Sequence, residues 1–161
     1  MVPADRFREG QDVTAMTFET LLAEPDLYGA KVAAWCGGEI LCYQRDDFAH
    51  IPDPGLWDLP GGVRETGETL LDCAIRETWE EFGIALPQDA FGDAARFVKF
   101  EPHRIEALFL TARLTPPMVA AITFGEEGQQ WRMMPVAEFV TRPDAVRELQ
   151  SCVATWWEGM G

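Results

Sequence analysis

Hydrophobic positions in this chain come in short runs broken by Gly and Pro, and each run predicts an element. Lys31 to Cys36 reads as a strand, Gly37-Gly38 as a turn, and Glu39 to Gln44 as the returning strand of a hairpin. Asp46 to Gly55 carries Pro52 and Pro54 and reads as loop, followed by a brief extended piece, Trp57 to Leu59. Pro60-Gly61-Gly62 breaks regular structure and lets backbone approach a ligand closely. Thr69 and Asp72 form a capping-box pattern that starts a helix from about Leu70 to Phe82, with an apolar stripe of Leu71, Ala74, Ile75, Thr78 and Phe82. Arg96 to Glu101 and Ile105 to Leu114 read as strands, the second ended by Pro116-Pro117. Ala120 to Phe124 reads as a further short strand, Glu126 to Gly128 as loop, Trp131 to Met134 as strand, and Pro135 to Val140 as a short helix. Pro143 is expected to start a terminal helix with Val146, Leu149, Val153 and Trp156 on one face. Upstream, Thr17 to Ala23 fits a short helix capped by Thr17, and residues 1–15 a loose polar arm. Strands interleaved with few helices predict an α/β sheet covered by helices.

The length of 161 residues fits one domain, residues 1–161, with a core of its own. The net charge of −14 argues against non-specific binding to nucleic acid or anionic membranes. It also means that an anionic substrate must bring or find a cation. Cys36, Cys42, Cys73 and Cys152 show no C-x-x-C spacing and sit in apolar contexts, so free thiols in a reducing cytoplasm are expected. No apolar run reaches the ~18 residues needed to span a membrane, and the first ten residues lack the apolar core of a signal peptide.

The chemistry concentrates on the helix. Glu77, Glu80 and Glu81 stand at i, i+3 and i+4, on one side of it. Each like-charge pair at that spacing costs roughly 0.2–0.5 kcal/mol. Glu80 and Glu81 also precede Gly83, a C-cap, where the helix dipole disfavours anions. A hard divalent cation would compensate, and Mg²⁺ in particular is bound by a few carboxylates together with substrate phosphates. A solvated acidic face is the plain alternative. His50 and His103 lie in loops without a metal-ligand partner at useful spacing.

Gly62, Glu68, Arg76-Glu77, Glu80-Glu81 and Gly83-Ile84 together fit G-x5-E-x7-R-E-x-x-E-E-x-G followed by an apolar residue. This resembles the Nudix box, the signature of the Nudix hydrolases. One departure is Thr78, where the family usually has an aliphatic residue. The resemblance implies a Nudix-type α/β/α sandwich with a mixed β-sheet and a loop-helix-loop catalytic segment. It implies that Glu77, Glu80, Glu81 and the Gly61 carbonyl hold Mg²⁺ or Mn²⁺, and that Arg76 and Glu68 brace the segment. Glu127-Gly128-Gln129 is similar to the E-G-Q segment of MutT-type members, which makes Glu127 a candidate metal neighbour and general base; Glu126, Glu106 and Glu80 are its substitutes. Arg45 matches a position where MutT-like members carry a phosphate-contacting arginine.

The implied activity is divalent-metal-dependent hydrolysis of a nucleoside diphosphate linked to some group X, with nucleoside triphosphates, oxidised ones included, as the favoured class. Two alternatives stay open: an ADP-ribose or nucleotide-sugar diphosphatase, and a non-hydrolytic ligand-binding module. The proline that ADP-ribose hydrolases tend to place about fifteen residues after the box is absent, since Val98 and Lys99 occupy that region. The expected partner is a nucleotide-type phosphate substrate, with no nucleic acid and no membrane. A homodimer contact through Trp156 or Trp157 is left open.

Overall fold

In a computed structural model of the chain, the residues described are 22, 26–100 and 103–160. The expected N-terminal arm and, Leu22 apart, the Thr17 to Ala23 helix lie outside them. The elements run β1 (Gly29–Cys36), β2 (Glu39–Gln44), β3 (Trp57–Asp58), β4 (Gly61–Val63), α1 (Leu70–Phe82), β5 (Phe91–Lys99), β6 (Ile105–Arg113), α2 (Pro116–Ala120), β7 (Gln130–Pro135), α3 (Val136–Phe139) and α4 (Arg147–Glu158), with a 3-10 turn at Gln88–Ala90.

One mixed sheet joins seven strands in the order β3-β2-β1-β6-β5, with β4 added to β1 and β7 to β2. The β1–β6 pair is parallel and the others antiparallel. β1 and β2 pair only beside their turn, Trp35 with Ile40 and Cys36 with Glu39. Beyond that point β1 turns to β4 and β2 to β3. The segment 57–63 thus enters where the hairpin strands part, and the Val32 N–H donates to the Pro60 carbonyl there.

Alternation along the strands sends side chains to two cores. Val32, Ala34, Leu41 and Leu108 join Leu70, Cys73, Ala74 and Phe82 of α1. Ala33, Ile40, Cys42 and Phe109 join Phe139 of α3 and Leu149, Val153 and Trp156 of α4. This is the expected α/β/α sandwich. Among the described residues no helix is long and apolar enough to cross a membrane.

Several boundaries differ from the sequence expectation. β5 begins at Phe91 and reaches Ala94 through a bulge, so it starts five residues before Arg96. The expected strand at 120–124 is absent. Ala120 closes α2, and the Thr123 and Gly125 N–H groups donate to the Phe82 and Glu81 carbonyls. That segment satisfies two of the free C-terminal carbonyls of α1. α4 starts at Arg147, not at Pro143, because residues 144–146 pair with Trp57: its N–H donates to Asp144 and its carbonyl accepts from Val146. The buried face of α1 is Leu70, Cys73, Ala74, Thr78 and Phe82, leaving Leu71 and Ile75 half-buried. Trp156 is 1% exposed and belongs to the core, so it offers no dimer contact, and Trp157 packs half-buried against the same cluster.

Candidate active site

Helix α1 is set by local chemistry. Thr69 Oγ1 accepts the Asp72 N–H at 3.0 Å, and the Thr69 N–H donates back to Asp72 at 3.2 Å. Gly83 ends the helix at φ 67°, in the left-handed conformation that glycine adopts freely. Thr78 faces the core, and its hydroxyl is satisfied by the Ala74 carbonyl at 2.8 Å. The departure from an aliphatic residue therefore buries no unpaired polar group.

With that face buried, Glu77, Glu80 and Glu81 fall on the rim of a cavity of about 770 Å³, within the range of small-molecule sites. Gly61, Gly62, Arg45, Glu126 and Glu127 line the same cavity. Glu126 and Glu127 are brought there by the Gly125 N–H bond to Glu81. The turn is then held by the Gly128 N–H to Asp46 Oδ2 at 3.1 Å and the Gln129 N–H to the Gln44 carbonyl at 2.8 Å. Of the expected residues, the structure gathers Arg45, Gly61, Glu77, Glu80, Glu81 and Glu127. Glu106 is not among them. Its neighbours Ile105 and Ala107 line the cavity, while Glu106 pairs with Arg104 at 3.5 Å and Arg96 at 3.8 Å. A strand residue cannot face the same way as both neighbours.

Arg76 and Glu68 stand behind the cavity wall as braces. The guanidinium donates through Nε to Glu68 at 2.7 Å and through Nη2 to Glu68 at 3.0 Å, a bidentate pair. Nη2 also reaches the Val63 carbonyl at 3.1 Å, and Nη1 reaches Glu77 at 2.9 Å. Loop and helix are thus stapled by one side chain. The Arg76 hydrogen bond holds the Glu68 carboxyl below its ordinary range.

Electrostatics mark the glutamates. Burial pushes the Glu81 carboxyl up to about 8, with Glu77 and Asp58 adding repulsion, against the opposing effects of Lys31 and the Gly61 N–H. Burial raises Glu77 too, and Glu80 adds to it. Burial thus disfavours the charged form of both carboxyls, which a bound cation would favour.

The donor set fits a hard divalent cation: carboxylates that repel one another, beside the glycines that open β4. A Cβ on Gly62 would stand 2.6 Å from the Glu77 carboxyl carbon, so only glycine leaves that carboxylate in place. Among the described residues no three His, Cys, Asp or Glu side chains converge closely enough to cage an ion by themselves. Arg76 engages Glu77 and Glu80, and Glu81 Oε1 accepts the Gly61 N–H at 3.0 Å. Mg²⁺ tolerates this, since it keeps waters and shares substrate phosphates.

Two cavity residues escaped the sequence reading. Asp58 is 2% exposed, and Lys31 reaches it from β1. The signal available was a lone lysine in the otherwise apolar strand Gly29–Cys36.

Residues 30–156 match the NUDIX domain. The m7GpppN-mRNA hydrolase NUDT17 of Bos taurus is 55% identical over 52 residues, covering 32% of this chain and 17% of that protein. The chain spans 17%, 12% and 37% of the length of the first three curated relatives it matches. Among solved structures, the MutT protein of Methanosarcina mazei Go1 superposes with a TM-score of 0.64 at 20% identity, over 86% of this chain and 100% of that one. A bifunctional NMN adenylyltransferase/ADP ribose pyrophosphatase of Francisella tularensis, complexed with AMP and a Mn ion, gives 0.66 at 19% identity, over 86% of this chain and 43% of that one. These likenesses establish the fold.

Proposed function

This chain belongs to the NUDIX family, and from that premise we propose that it is a divalent-metal-dependent phosphoanhydride hydrolase. Its substrate is a nucleoside diphosphate linked to a second group, with nucleoside triphosphates as the first class to test. One observation carries the reading: Glu77, Glu80 and Glu81 share a cavity with Gly61, Glu127 and Arg45.

Glu77, Glu80 and Glu81, with the Gly61 carbonyl, would hold Mg²⁺ or Mn²⁺. When bound, such a cation would supply charge neutralisation for the phosphates and make the attacking water more acidic. Glu127 accepts the proton of that water as it attacks phosphorus and the bridging P–O bond breaks. Glu126 stands beside it and Glu80 is the internal substitute. Arg45 contacts phosphate, and Arg76 with Glu68 keeps loop and helix in register. The four free cysteines support a cytoplasmic, reducing location.

A second reading is a dinucleoside polyphosphate of the mRNA-cap kind. The 55% identity to a protein named m7GpppN-mRNA hydrolase favours it. The net charge of −14 weighs against a long RNA partner.

Phosphate release from a panel of nucleoside triphosphates, ADP-ribose, nucleotide sugars and cap analogues, with Mg²⁺ or Mn²⁺ and with inorganic pyrophosphatase or a phosphomonoesterase added to free phosphate from the pyrophosphate and monophosphate products, tests the reading. Glu80→Gln and Glu81→Gln are each expected to cut kcat by orders of magnitude while the melting transition is kept. Near-normal turnover in both refutes the assignment.

A further inference from the structure

The wall formed by β1 and the ends of β2 and β3 carries three charges that the metal-holding scheme leaves unused. Asp58 Oδ2 accepts from Lys31 Nζ at 2.9 Å and from Arg45 Nη1 at 2.9 Å. Its Oδ1 accepts the Leu59 N–H at 2.7 Å. All three side chains line the cavity that holds Glu77 and Glu81.

One buried carboxylate needs one cation for compensation. Here it has two, each 20% exposed, so two cations are gathered on one carboxylate at this wall. Neither cation is used up. Lys31 has three donors and spends two, on Asp58 and, at 3.4 Å, on the Leu59 carbonyl. Arg45 has five and spends Nε on the Pro52 carbonyl and Nη1 on Asp58. A guanidinium fork and a compact ammonium held by one carboxylate offer donors at fixed spacing. The Lys31 charge is felt at both Glu77 and Glu81, so the two sets of groups share one field.

We propose that Lys31 is a second phosphate-binding residue beside Arg45, the two held at fixed spacing by Asp58 as a positioning residue. The pair takes the phosphate oxyanion that the carboxylate rim does not engage through its cation. A diphosphate then spans the cavity with one phosphate at each wall. This placement rests on the proposed site but not on turnover.

The probe is inorganic pyrophosphate in Mg²⁺, followed by calorimetry. The wild-type chain binds it. Lys31→Gln and Arg45→Gln each weaken the dissociation constant tenfold or more, the double variant weakens it further, and Lys31→Arg restores most of the affinity. Asp58→Asn, measured below its melting transition, weakens binding at least fivefold although both cations remain. Arg104→Gln, just before β6 and paired with Glu106 outside the cavity lining, binds as wild type. Unchanged affinity in Lys31→Gln and Arg45→Gln overturns the proposal and leaves the cluster a structural ion pair, as does a wild-type chain that fails to bind pyrophosphate. Binding that depends on both cations in a chain that hydrolyses no nucleotide supports the pair and removes the hydrolase reading.

Discussion

The Gly61 N–H donates to Glu81 Oε1 at 3.0 Å, joining the start of β4 to the last turn of α1 beside the cavity that both line. This one bond stabilises the ionised carboxylate, yet burial outweighs it and leaves Glu81 at about 8. The unfolded carboxyl titrates near 4.5. Below 4.5 both states hold the proton. Between 4.5 and 8 the unfolded state has released a proton that the folded state still binds, so each step up in pH favours unfolding. The contribution is present at low pH, lost as pH rises through 8, and flat above it. In EDTA the melting temperature of the wild-type chain is therefore expected to fall from pH 5 to 8 relative to that of Glu81→Gln. Saturating Mg²⁺ should flatten the difference, because a bound cation favours the charged form. Parallel melting curves for the two proteins across that range would show that Glu81 is not buried as described.

Neighbouring glycines of β4 predict opposite outcomes. Gly61 has φ 143°, and a Cβ there would collide with the Ala30 backbone carbonyl across the β1–β4 pair. Gly61→Ala is expected to destabilise by about 3 kcal/mol or more, because neither backbone can give way. At Gly62 the obstacle is the Glu77 carboxylate, the far end of a flexible side chain. Gly62→Ala should cost about 1 kcal/mol or less in stability. It should displace Glu77, raising the Mg²⁺ concentration for half-maximal activity about tenfold, in line with the effect of moving a ligand's support. Urea melts and metal titrations of both variants separate the two cases.

Some of this was legible in the sequence, and physical range decides what was. The Thr69–Asp72 capping box, the Gly83 cap and the glutamate face are fixed within a few residues, so spacing alone located them. The 120–124 segment was misread because its hydrogen bonds go to the end of α1, about forty residues earlier in the chain. The start of α4 was misplaced for the same reason, since Trp57 fixes residues 144–146. Lys31 and Asp58 are 27 residues apart, and only the parting of β1 from β2 puts a carboxylate between Lys31 and Arg45.

Strand register separates two candidate bases. Glu127 lines the cavity, whereas Glu106 faces Arg96 and Arg104 on the other side of β6. Glu127→Gln is expected to lower kcat about 10²-fold or more, the usual weight of a general base. Glu106→Gln should leave kcat within twofold of wild type. A fall in kcat for Glu106→Gln with no change for Glu127→Gln would reverse the assignment.

The Arg76–Glu68 pair gives a test of the brace itself. Arg76 touches Glu68 twice, Glu77 and the Val63 carbonyl once each, and Glu80 more loosely at 3.3 Å, so it sets both the loop and two of the cavity carboxylates. Lysine keeps the charge but not the planar fork, and cannot make the bidentate contact. Arg76→Lys is therefore expected to lower both melting temperature and kcat. Glu68→Gln should lower them through the same staple, because it removes the charge from the other half of the contact. Since each change breaks one shared interaction, the double variant should lose less stability than the two single losses together, with a coupling of about 0.5–3 kcal/mol. The kinetic losses should be non-additive in the same direction, because the second change finds the loop already released. Strict additivity in both melting and turnover would mean that the two residues act independently, and that the loop is held by something other than this pair.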